Sequence, residues 1–490
     1  MIGASLYQRL PSFLQTPAVW WYGWSMQRRR YRGVFHETLA AARRNETLTR
    51  ERLDEMQLVA LRAVLAHAIG HVPHYRESAR VAGLRVEDLR SLDDLRRWPV
   101  LEKDIVRAEP ARLISETTRR SRLITIETSG TTGTPLLTYR DLRAERRWFA
   151  FFERRIRNWA GVTYRDRWAM AGGRVVVPVR RTRPPFWKYN PFMRQLYMSS
   201  YHLSRTYLDD YLAALRKYRP VYLYGYASSC EALARHALER GCGDLKFRTV
   251  LTSSETLFEH QRTVIEKAFG CRVHDSYGSA EMVALVTECD RGRLHVSPEV
   301  GVVEVLRDGR PVGNGEAGEL VCTGLLNEAM PLIRYRTGDV AVQGSGPCPC
   351  GRPLRTLHRI EGRVDDLLWT SDGRAIGRLD PVFKGVENVA ESQIIQEDFD
   401  RVRVRLVPAT GYRDEDGRRI GSNLRERMGD IEVTIEVVPS IDRVGGKFRA
   451  VVCRLPRAPR EAGAAVREQS GNLAGLSTRS DRPGDRSAGE

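Results

Sequence analysis

Lysine is nearly absent from this chain: of 79 basic residues among 490, seven are lysines and the rest are arginines. The formal net charge of +18 is therefore arginine charge, and it is scattered along the chain instead of gathered in a stripe. That distribution speaks against a nucleic-acid footprint, and no nucleic-acid partner is expected. Also missing is any apolar run near the ~20 residues that cross a bilayer, and no signal-peptide pattern is visible. The expected location is cytoplasmic, where eight cysteines serve as metal ligands or core thiols more often than as disulfides. There is no G-x-x-x-x-G-K-[ST] phosphate loop. Gly313-Asn314-Gly315-Glu316-Ala317-Gly318 fits the dinucleotide pattern, but it opens into the strand-like Glu319-Leu320-Val321-Cys322 and so reads as a hairpin turn.

What is present centres on Thr128-Ser129-Gly130-Thr131-Thr132-Gly133-Thr134-Pro135. Two glycines, a proline and five hydroxyl residues oppose helix and strand alike and bury almost nothing. Their backbone N–H and hydroxyl donors suit phosphate oxygens. A flexible linker is the plain alternative, but the flanks favour a site. Ser121 to Glu127 alternates like a strand, and Leu136 to Tyr139 leads to a helix N-cap at Asp141.

The length and the 42% apolar content allow two or three domains. Near the N-terminus, Val19-Trp20-Trp21-Tyr22-Gly23-Trp24 precedes Arg28, Arg29, Arg30 and Arg32. Packing against the main domain is expected, with weak peripheral contact at an acidic membrane surface left open. Helical spacing runs from Arg52 to about Ala82 with a stop at Val72-Pro73, again over Val86 to Arg97, and from about Asp141 to Trp159. Helices at 205–218, 228–240 and 258–269 then alternate with strands Val221 to Tyr224, Thr249 to Thr252 and Cys271 to Asp275. This predicts an α/β fold with a mostly parallel, helix-covered sheet and ligand loops at the strands' carboxyl ends. From Leu294 short strands and turns follow. A separate small α/β domain is read from strands Ser392 to Gln396, Val402 to Val407 and Ile431 to Val437 and a helix at 413–428. Beyond Leu455 large apolar residues are scarce and disorder is expected. The expected division is 1–50, 51–364, 365–456 and 457–490.

Three further stretches carry chemistry. In Asp275-Ser276-Tyr277-Gly278-Ser279-Ala280-Glu281, an aromatic face beside an approachable backbone suits a purine, and the carboxylate four residues on can hold a cation. In Arg334-Tyr335-Arg336-Thr337-Gly338-Asp339 and Gly362-Arg363-Val364-Asp365, an aspartate could accept ribose hydroxyls and an arginine could reach ribose or phosphate. Cys289, His295, Cys348 and Cys350 could close a tetrahedral zinc site, or be unrelated thiols in turns. Cys230, Cys242, Cys271, Cys322 and Cys453 read as filler.

Taken in order, these stretches resemble the adenylate-forming ligases of the acyl-CoA synthetase superfamily, in the phenylacetate-CoA ligase and CapK-like branch. Thr128 to Pro135 resembles the family's phosphate loop, Tyr277 to Glu281 its adenine and magnesium motif, and Tyr335 to Asp339 its ribose motif. Gly362 to Asp365 is similar to its hinge motif, and Gly446-Lys447 to the motif with the catalytic lysine. His71 to Arg76 and Trp98 to Lys103 are similar to this branch too. Leu136 follows Pro135 where many relatives carry lysine, and the proline-arginine-threonine lead-in before Gly445 is missing.

The resemblance implies a large adenylation domain with a β-rich subdomain, and a small mobile C-terminal domain turning about Asp365. It implies ATP-dependent activation of a carboxylic acid through an acyl-adenylate, release of pyrophosphate, and transfer to coenzyme A. Lys447, Glu281 and Thr131 would be catalytic, with Mg2+ on Glu281. Thr128, Ser129, Gly130, Thr131, Thr132, Gly133, Ser254, Glu255, Tyr277, Gly278, Ser279, Asp339 and Arg363 would bind the nucleotide, while Tyr222, Tyr224, Tyr226 and Ala227, with Ser228, line or support the acyl pocket. Transfer to an amine, sugar or carrier, and a basic binding protein without chemistry, are the alternatives. Zinc, a homodimer and the identity of the acid stay open.

Overall fold

In a computed structural model, the structure describes residues 7, 11–128, 136–174, 176–178, 181–203, 205–363, 368–370, 375–376, 382, 386, 388–443 and 448–455. The chain forms two compact units, Met1–Val364 with Ile441–Arg449, and Asp365–Ser440 with Ala450–Glu490.

The helices of the first unit are α1 (Ser12–Arg30), α2 (Val34–Asn45), α3 (Arg50–His71), α4 (Pro73–Ala82), α5 (Lys103–Ala108), α6 (Leu142–Phe151), α7 (Leu208–Tyr218), α8 (Ala227–Glu239) and α9 (Glu259–Phe269). Its strands are β1 (Ile124–Thr128), β2 (Leu136–Arg140), β3 (Trp168–Gly172), β4 (Trp187–Asn190), β5 (Gln195–Ser199), β6 (Tyr222–Gly225), β7 (Thr249–Ser253), β8 (Arg272–Gly278), β9 (Leu285–Glu288), β10 (Leu294–Val296), β11 (Gly301–Arg307), β12 (Arg310–Pro311), β13 (Ala317–Gly324), β14 (Tyr335–Gln343) and β15 (Thr356–Arg363).

Local chemistry explains the helix ends. Thr49 caps α3, its hydroxyl accepting from the Arg52 amide, and the helix stops at Val72 because Pro73 takes the first position of α4. Gly83, at φ +64, ends α4 in the left-handed conformation. Asp141 caps α6 by accepting from the Ala144 amide at 2.7 Å. Two helical expectations are corrected. Residues 86–97 form two 3-10 turns, Val86–Asp88 and Leu92–Arg97, because the Asp94 carboxylate takes the Ser91 amide and restarts the chain there. The long helix after Asp141 changes at Phe152 into a π-helical turn, Phe152–Asn158, with Glu153, Arg155 and Arg157 buried.

Thirteen strands join in one sheet, ordered β12-β11-β13-β14-β15-β10-β9-β8-β7-β6-β3-β5-β4. β8, β7, β6, β3 and β5 run parallel, whereas β4 pairs antiparallel with β5 and the strands from β9 to β15 pair antiparallel. The expected mostly parallel sheet is thus corrected to a mixed one whose larger antiparallel part begins at β8. One face of the parallel half packs Leu212, Leu215, Leu233 and Phe269 of α7 to α9, and the other packs Trp168, Tyr222 and Leu251 against Ala144 and Phe151 of α6. The antiparallel half closes on α3 and α4 through Leu61, Leu65, Tyr75, Leu320 and Tyr335.

The antiparallel half also returns to the segment after β8. Gly301 and Gly324 are directly paired in β11 and β13. A Cβ on Gly301 would lie 1.9 Å from the Val283 carbonyl oxygen, and one on Gly324 would lie 3.3 Å from that of Met282. Gln57 of α3 holds the same region, donating to the carbonyls of Pro298 at 3.0 Å and Gly301 at 2.9 Å. The N-terminal aromatic run lies on edge strand β4: the Trp20 indole donates to the Tyr189 carbonyl, and Asn190 donates to that of Val19. Among the described residues no helix is long and apolar enough to cross a membrane.

The second unit contains a pair, β16 (Leu368–Trp369) with β17 (Ala375–Ile376), and a four-stranded sheet. The sheet is formed by β18 (Val389–Gln396), β19 (Arg401–Pro408), β20 (Glu432–Val437) and β21 (Val451–Cys453), ordered β20-β19-β18-β21. Helix α10 (Asp414–Met428) buries Ile420, Leu424 and Met428, and the sheet buries Val402, Val404 and Leu406.

The crowding at Gly301 yields a signed prediction. Gly301→Ala should lower stability by about 1–3 kcal/mol or more through forced displacement of the 282–283 backbone. Gly70→Ala, at a helical position with nothing within 4 Å, should raise it by about 0.5–1 kcal/mol. Thermal unfolding of both variants checks this, and shifts of the same sign would refute it.

Candidate functional site

β8 delivers Tyr277 and Gly278 to its carboxyl end, and β14 begins with Tyr335. The two stretches exchange hydrogen bonds. The Tyr277 hydroxyl donates to Asp339 Oδ2 at 2.6 Å, and the Tyr335 hydroxyl donates to Glu281 Oε1 at 3.2 Å. Burial, then the Asp339 charge, holds the Tyr277 phenol far above its usual range, so it stays a donor. Asp339 is set further by its own amide, which donates to Thr337 Oγ1 at 3.1 Å, while that hydroxyl donates to the Leu320 carbonyl. Arg363 lies opposite Asp339 in the β14–β15 register. Ser254 (φ +69) and Met282 (φ +61) hold left-handed backbone directly after β7 and beside Glu281; such conformations in non-glycine residues cluster at binding sites.

Glu255, after the β7 turn, accepts from the backbone amides of Ser228 at 3.0 Å and Phe448 at 2.8 Å. Arg443 donates to the Ser228 hydroxyl at 3.2 Å. Burial raises the Glu255 carboxyl above its ordinary range, partly offset by these amides and Arg443. Phe448 and Arg443 both belong to Ile441–Arg449, the segment grouped with the first unit.

Several candidate residues lie outside the described residues: Ser129, Gly130, Thr131, Thr132 and Gly133 of the hydroxyl run, Asp365, and Lys447. Thr128 and Arg363 are described in backbone alone. β1 and β2, on either side of the hydroxyl run, pair antiparallel with Thr128 opposite Leu136. Sequence reasoning gave no role to Lys103, although lysine scarcity was a signal. The Leu101 amide donates to the Arg334 carbonyl, and the Arg336 amide to that of Leu101, tying Trp98 to Lys103 along β14. A Cβ on Gly338 (φ +75) would stand 3.0 Å from Lys103 Nζ, so this ammonium lies beside the Asp339 turn.

The acyl-pocket candidates separate by depth. The Tyr224 hydroxyl is 2.7 Å from Ser253 Oγ, and its ring meets the edge of Phe152 at 5.8 Å. Trp148 on α6 closes on the Tyr277-Gly278 turn, where a Cβ on Gly278 would lie 3.4 Å from its ring. Tyr222 is fully buried, stacked on Trp168 at 5.7 Å. Tyr226 is half-buried, its amide donating to the Ala171 carbonyl, and Ala227 starts α8 in the core.

Cys289, His295, Cys348 and Cys350 converge between two turns, with one ligand atom from each lying within 4.8 Å of all the others. Cys289 follows β9, His295 is in β10, and Cys348 and Cys350 fill the β14–β15 turn. The Cys289 and Cys348 sulfurs are 3.7 Å apart, and Cys350 Sγ is 3.4 Å from His295 Nε2. A tetrahedron with ~2.3 Å metal–sulfur bonds has edges of about 3.8 Å, so the set fits a zinc ion. The Arg291 amide also donates to Cys289 Sγ at 3.3 Å.

Residues 368–454 match the CapK C-terminal domain family. Protein CapK of Staphylococcus aureus is 30% identical over 320 residues, 64% of this chain and 69% of that protein. The phenylacetate-coenzyme A ligase of Escherichia coli K12 is 28% identical over 375 residues, 72% of this chain and 77% of that enzyme. The solved structure of 2-hydroxyisobutyryl-CoA ligase in the postadenylation state, in complex with 2-HIB-AMP, superposes with a TM-score of 0.65 at 22% identity. It covers 88% of this chain and 94% of that one, a likeness of fold. The fold is thus that of the adenylate-forming ligases. Within them, the chain belongs to the family of CapK and the phenylacetate-CoA ligases.

Asp275, two residues before Tyr277 in β8, makes stability depend on pH. Burial, then neighbouring Glu288, pushes its carboxyl up to about 6 from an ordinary 3.8, although Thr252 donates to it at 2.7 Å. A raised acid favours the folded state when protonated. Its contribution is complete below the ordinary value and is lost as pH rises through about 6, a change of about 3 kcal/mol. Asp275→Asn should therefore gain stability relative to the parent between pH 4 and 7. Parallel thermal-melt curves for the two proteins across that range would refute the assignment.

Proposed function

We propose that this enzyme activates a carboxylic acid with ATP as an acyl-adenylate, releases pyrophosphate, and passes the acyl group to the thiol of coenzyme A. The observation that carries this reading is the crossed pair, Tyr277 on Asp339 and Tyr335 on Glu281. It gathers an aromatic face and two carboxylates at one strand end, which supports a site for a nucleotide and its cation. In the first step the acid's carboxylate oxygen attacks the α-phosphorus and the bond to pyrophosphate breaks, so the protein's task is to hold phosphate charge in place.

In this reading Tyr277 packs on adenine, Asp339 accepts the ribose hydroxyls, and Arg363, opposite it in register, adds a contact. The hydroxyl run Thr128 to Pro135, including Thr131, receives the leaving pyrophosphate. Glu281, oriented by Tyr335, would hold Mg2+, which supplies neutralising charge at the phosphate oxygens. Lys447 brings a compact ammonium between the acid and the α-phosphate. In support, Arg443 and Phe448 on either side of it reach Ser228 and Glu255 at the β6 and β7 strand ends. Asp365 is the proposed hinge about which the small domain turns between the half-reactions. ATP and coenzyme A as substrates go with a cytoplasmic location. Cys289, His295, Cys348 and Cys350 would hold a structural zinc ion tying the β9–β10 turn to the β14–β15 turn, with no ligand position left for catalysis.

Pyrophosphate exchange into ATP, dependent on an added acid and without acceptor, tests the first half-reaction. Lys447→Ala should abolish that exchange yet still form thioester from a supplied acyl-adenylate, and equal loss of both activities refutes the two-state assignment. Zinc is tested separately. The purified protein should carry one equivalent of zinc, and Cys348→Ser should lose it together with thermal stability. A metal-free protein with an unchanged melting point removes the zinc assignment and leaves the ligase reading standing.

A further inference from the structure

Behind the Tyr277-Gly278 turn, α1 and α6 bring an excess of guanidinium to the aromatic wall. Glu145 of α6 is fully buried and is shared by three arginines: Arg29 Nη2 at 3.0 Å, Arg30 Nε at 3.5 Å and Arg140 Nε at 2.7 Å. Arg30 also lies flat on the Phe149 ring, its Cζ 3.8 Å from the centroid, and Arg174, after β3, lies over Tyr22 of α1 at 4.7 Å. Arg30 and Arg174 are close enough to repel each other, and both are influenced by Tyr22. One carboxylate thus serves three guanidinium groups, and Arg174 adds a fourth beside Arg30. Asp275 is engaged by Thr252, and Glu153 by Arg157.

Position gives this excess a purpose. Phe149 lies under Arg30, Trp148 closes on Gly278, and Phe152 meets Tyr224, so one stretch, 148–152, runs from the Tyr277-Gly278 turn to the arginines. Tyr197 and Tyr224 both stand beside Met170 in the register of β5, β3 and β6 and so share its face of the sheet. The Tyr197 hydroxyl accepts from the Arg174 amide at 3.2 Å. Arg174 is exposed, and the Tyr22 ring beneath it packs on the same cluster, around Met26 and Ala150, as the Phe149 ring beneath Arg30. Stacking on the rings offsets part of the cost of holding these cations together, and an anion between them would offset the remainder.

Resting on the ligase reading above, we propose that the acid activated here carries a second anionic group, remote from the reacting carboxylate, which Arg30 and Arg174 receive. The body of the substrate lies along Trp148, Phe152 and Tyr224, with Glu145 holding the arginines in place. Glu145 is a positioning residue, whereas Arg30 and Arg174 touch the substrate.

The test is acid-dependent pyrophosphate exchange with matched pairs on one skeleton: phenylacetate against 4-carboxyphenylacetate and 4-sulfophenylacetate, and hexanoate against adipate. The doubly charged member should be favoured at least about tenfold in kcat/KM, chiefly through KM. The sulfonate and carboxylate arms show which anion is taken. Arg174→Met should reduce the preference at least about tenfold, and Arg30→Lys, which keeps charge but loses the planar stack, should reduce it less. Preference for the singly charged acid in every pair, or a preference unchanged in Arg174→Met, overturns the proposal while leaving the ligase reading intact. No exchange with any acid of a broad library that includes these pairs overturns the ligase reading itself.

Discussion

The crossed hydrogen bonds between Tyr277 and Asp339 and between Tyr335 and Glu281 impose a demand on the whole first unit. β8 and β14 are separated in the sheet by β9, β10 and β15. On a flat sheet, four strand spacings of ~4.8 Å would hold them about 19 Å apart, too far for a tyrosine and an aspartate to meet. They meet at 2.6 Å, so the antiparallel half must curl back over the end of β8. The paired glycines 301 and 324 make that possible, because they let two strands press on the 282–283 backbone without side chains between. The buried Arg334, which pairs with Glu304 and donates to the Trp98 carbonyl, fixes the start of β14 from the other side. Each motif's tyrosine orients the other's carboxylate, so neither motif is complete alone.

Much of this was readable from the chain in order. Hydrophobic spacing located α3, α4, α7, α8, α9 and α10 to within a few residues, because each buries one face and ends on proline, glycine or a polar cap. Gly313 to Gly318 does open into a strand, β13, and not a helix, but it is a turn and not a hairpin: the Glu316 amide donates to the Gly313 carbonyl, and β12 before it pairs with β11 instead of β13. β3 and β5 escaped notice. Trp-Ala-Met-Ala-Gly and Gln-Leu-Tyr-Met-Ser contain no β-branched residue and no alternation, since both strands lie in the sheet's interior with two covered faces. The π-helical turn at Phe152–Asn158 was equally invisible, being set by the pairing of buried Arg155 with Glu46 and Glu299. The partners of Arg29 and Arg30 were hidden as well. Glu145 lies more than a hundred positions away, and no periodicity links them.

The cysteine and histidine cluster has a similar logic on the far side of the curl. β10 pairs with both β9 and β15, so the turn carrying Cys289 and the turn carrying Cys348 and Cys350 are neighbours through β10 itself. Arg352, two residues after Cys350, stacks on Trp159 at 4.3 Å, and the Trp159 indole donates to Glu46 at 2.9 Å. Glu46 is shared with Arg155 of the π-helical turn. A metal ion proposed for this cluster would therefore brace the turns nearest the π-helical turn, on the same polypeptide that continues back into the aromatic wall of α6.

The two kinds of cation in this chain divide the work as their chemistry dictates. Guanidinium is planar, weakly hydrated and always charged, so it can be enclosed against rings and shared carboxylates, as Arg30 is on Phe149 and Arg155 is between Glu46 and Glu299. Ammonium is compact and strongly hydrated, suited to a point charge approached from several directions. Lys103 sits beside the Asp339 turn, and Lys447 occupies the glycine-flanked segment proposed to reach the α-phosphate. A chain that uses arginine for nearly every other positive charge has kept lysine at these two places. In the proposed reaction, where negative charge passes from carboxylate to phosphate to leaving group, arginine's fork at position 447 would impose a bidentate geometry, whereas an ammonium there would favour no single acceptor.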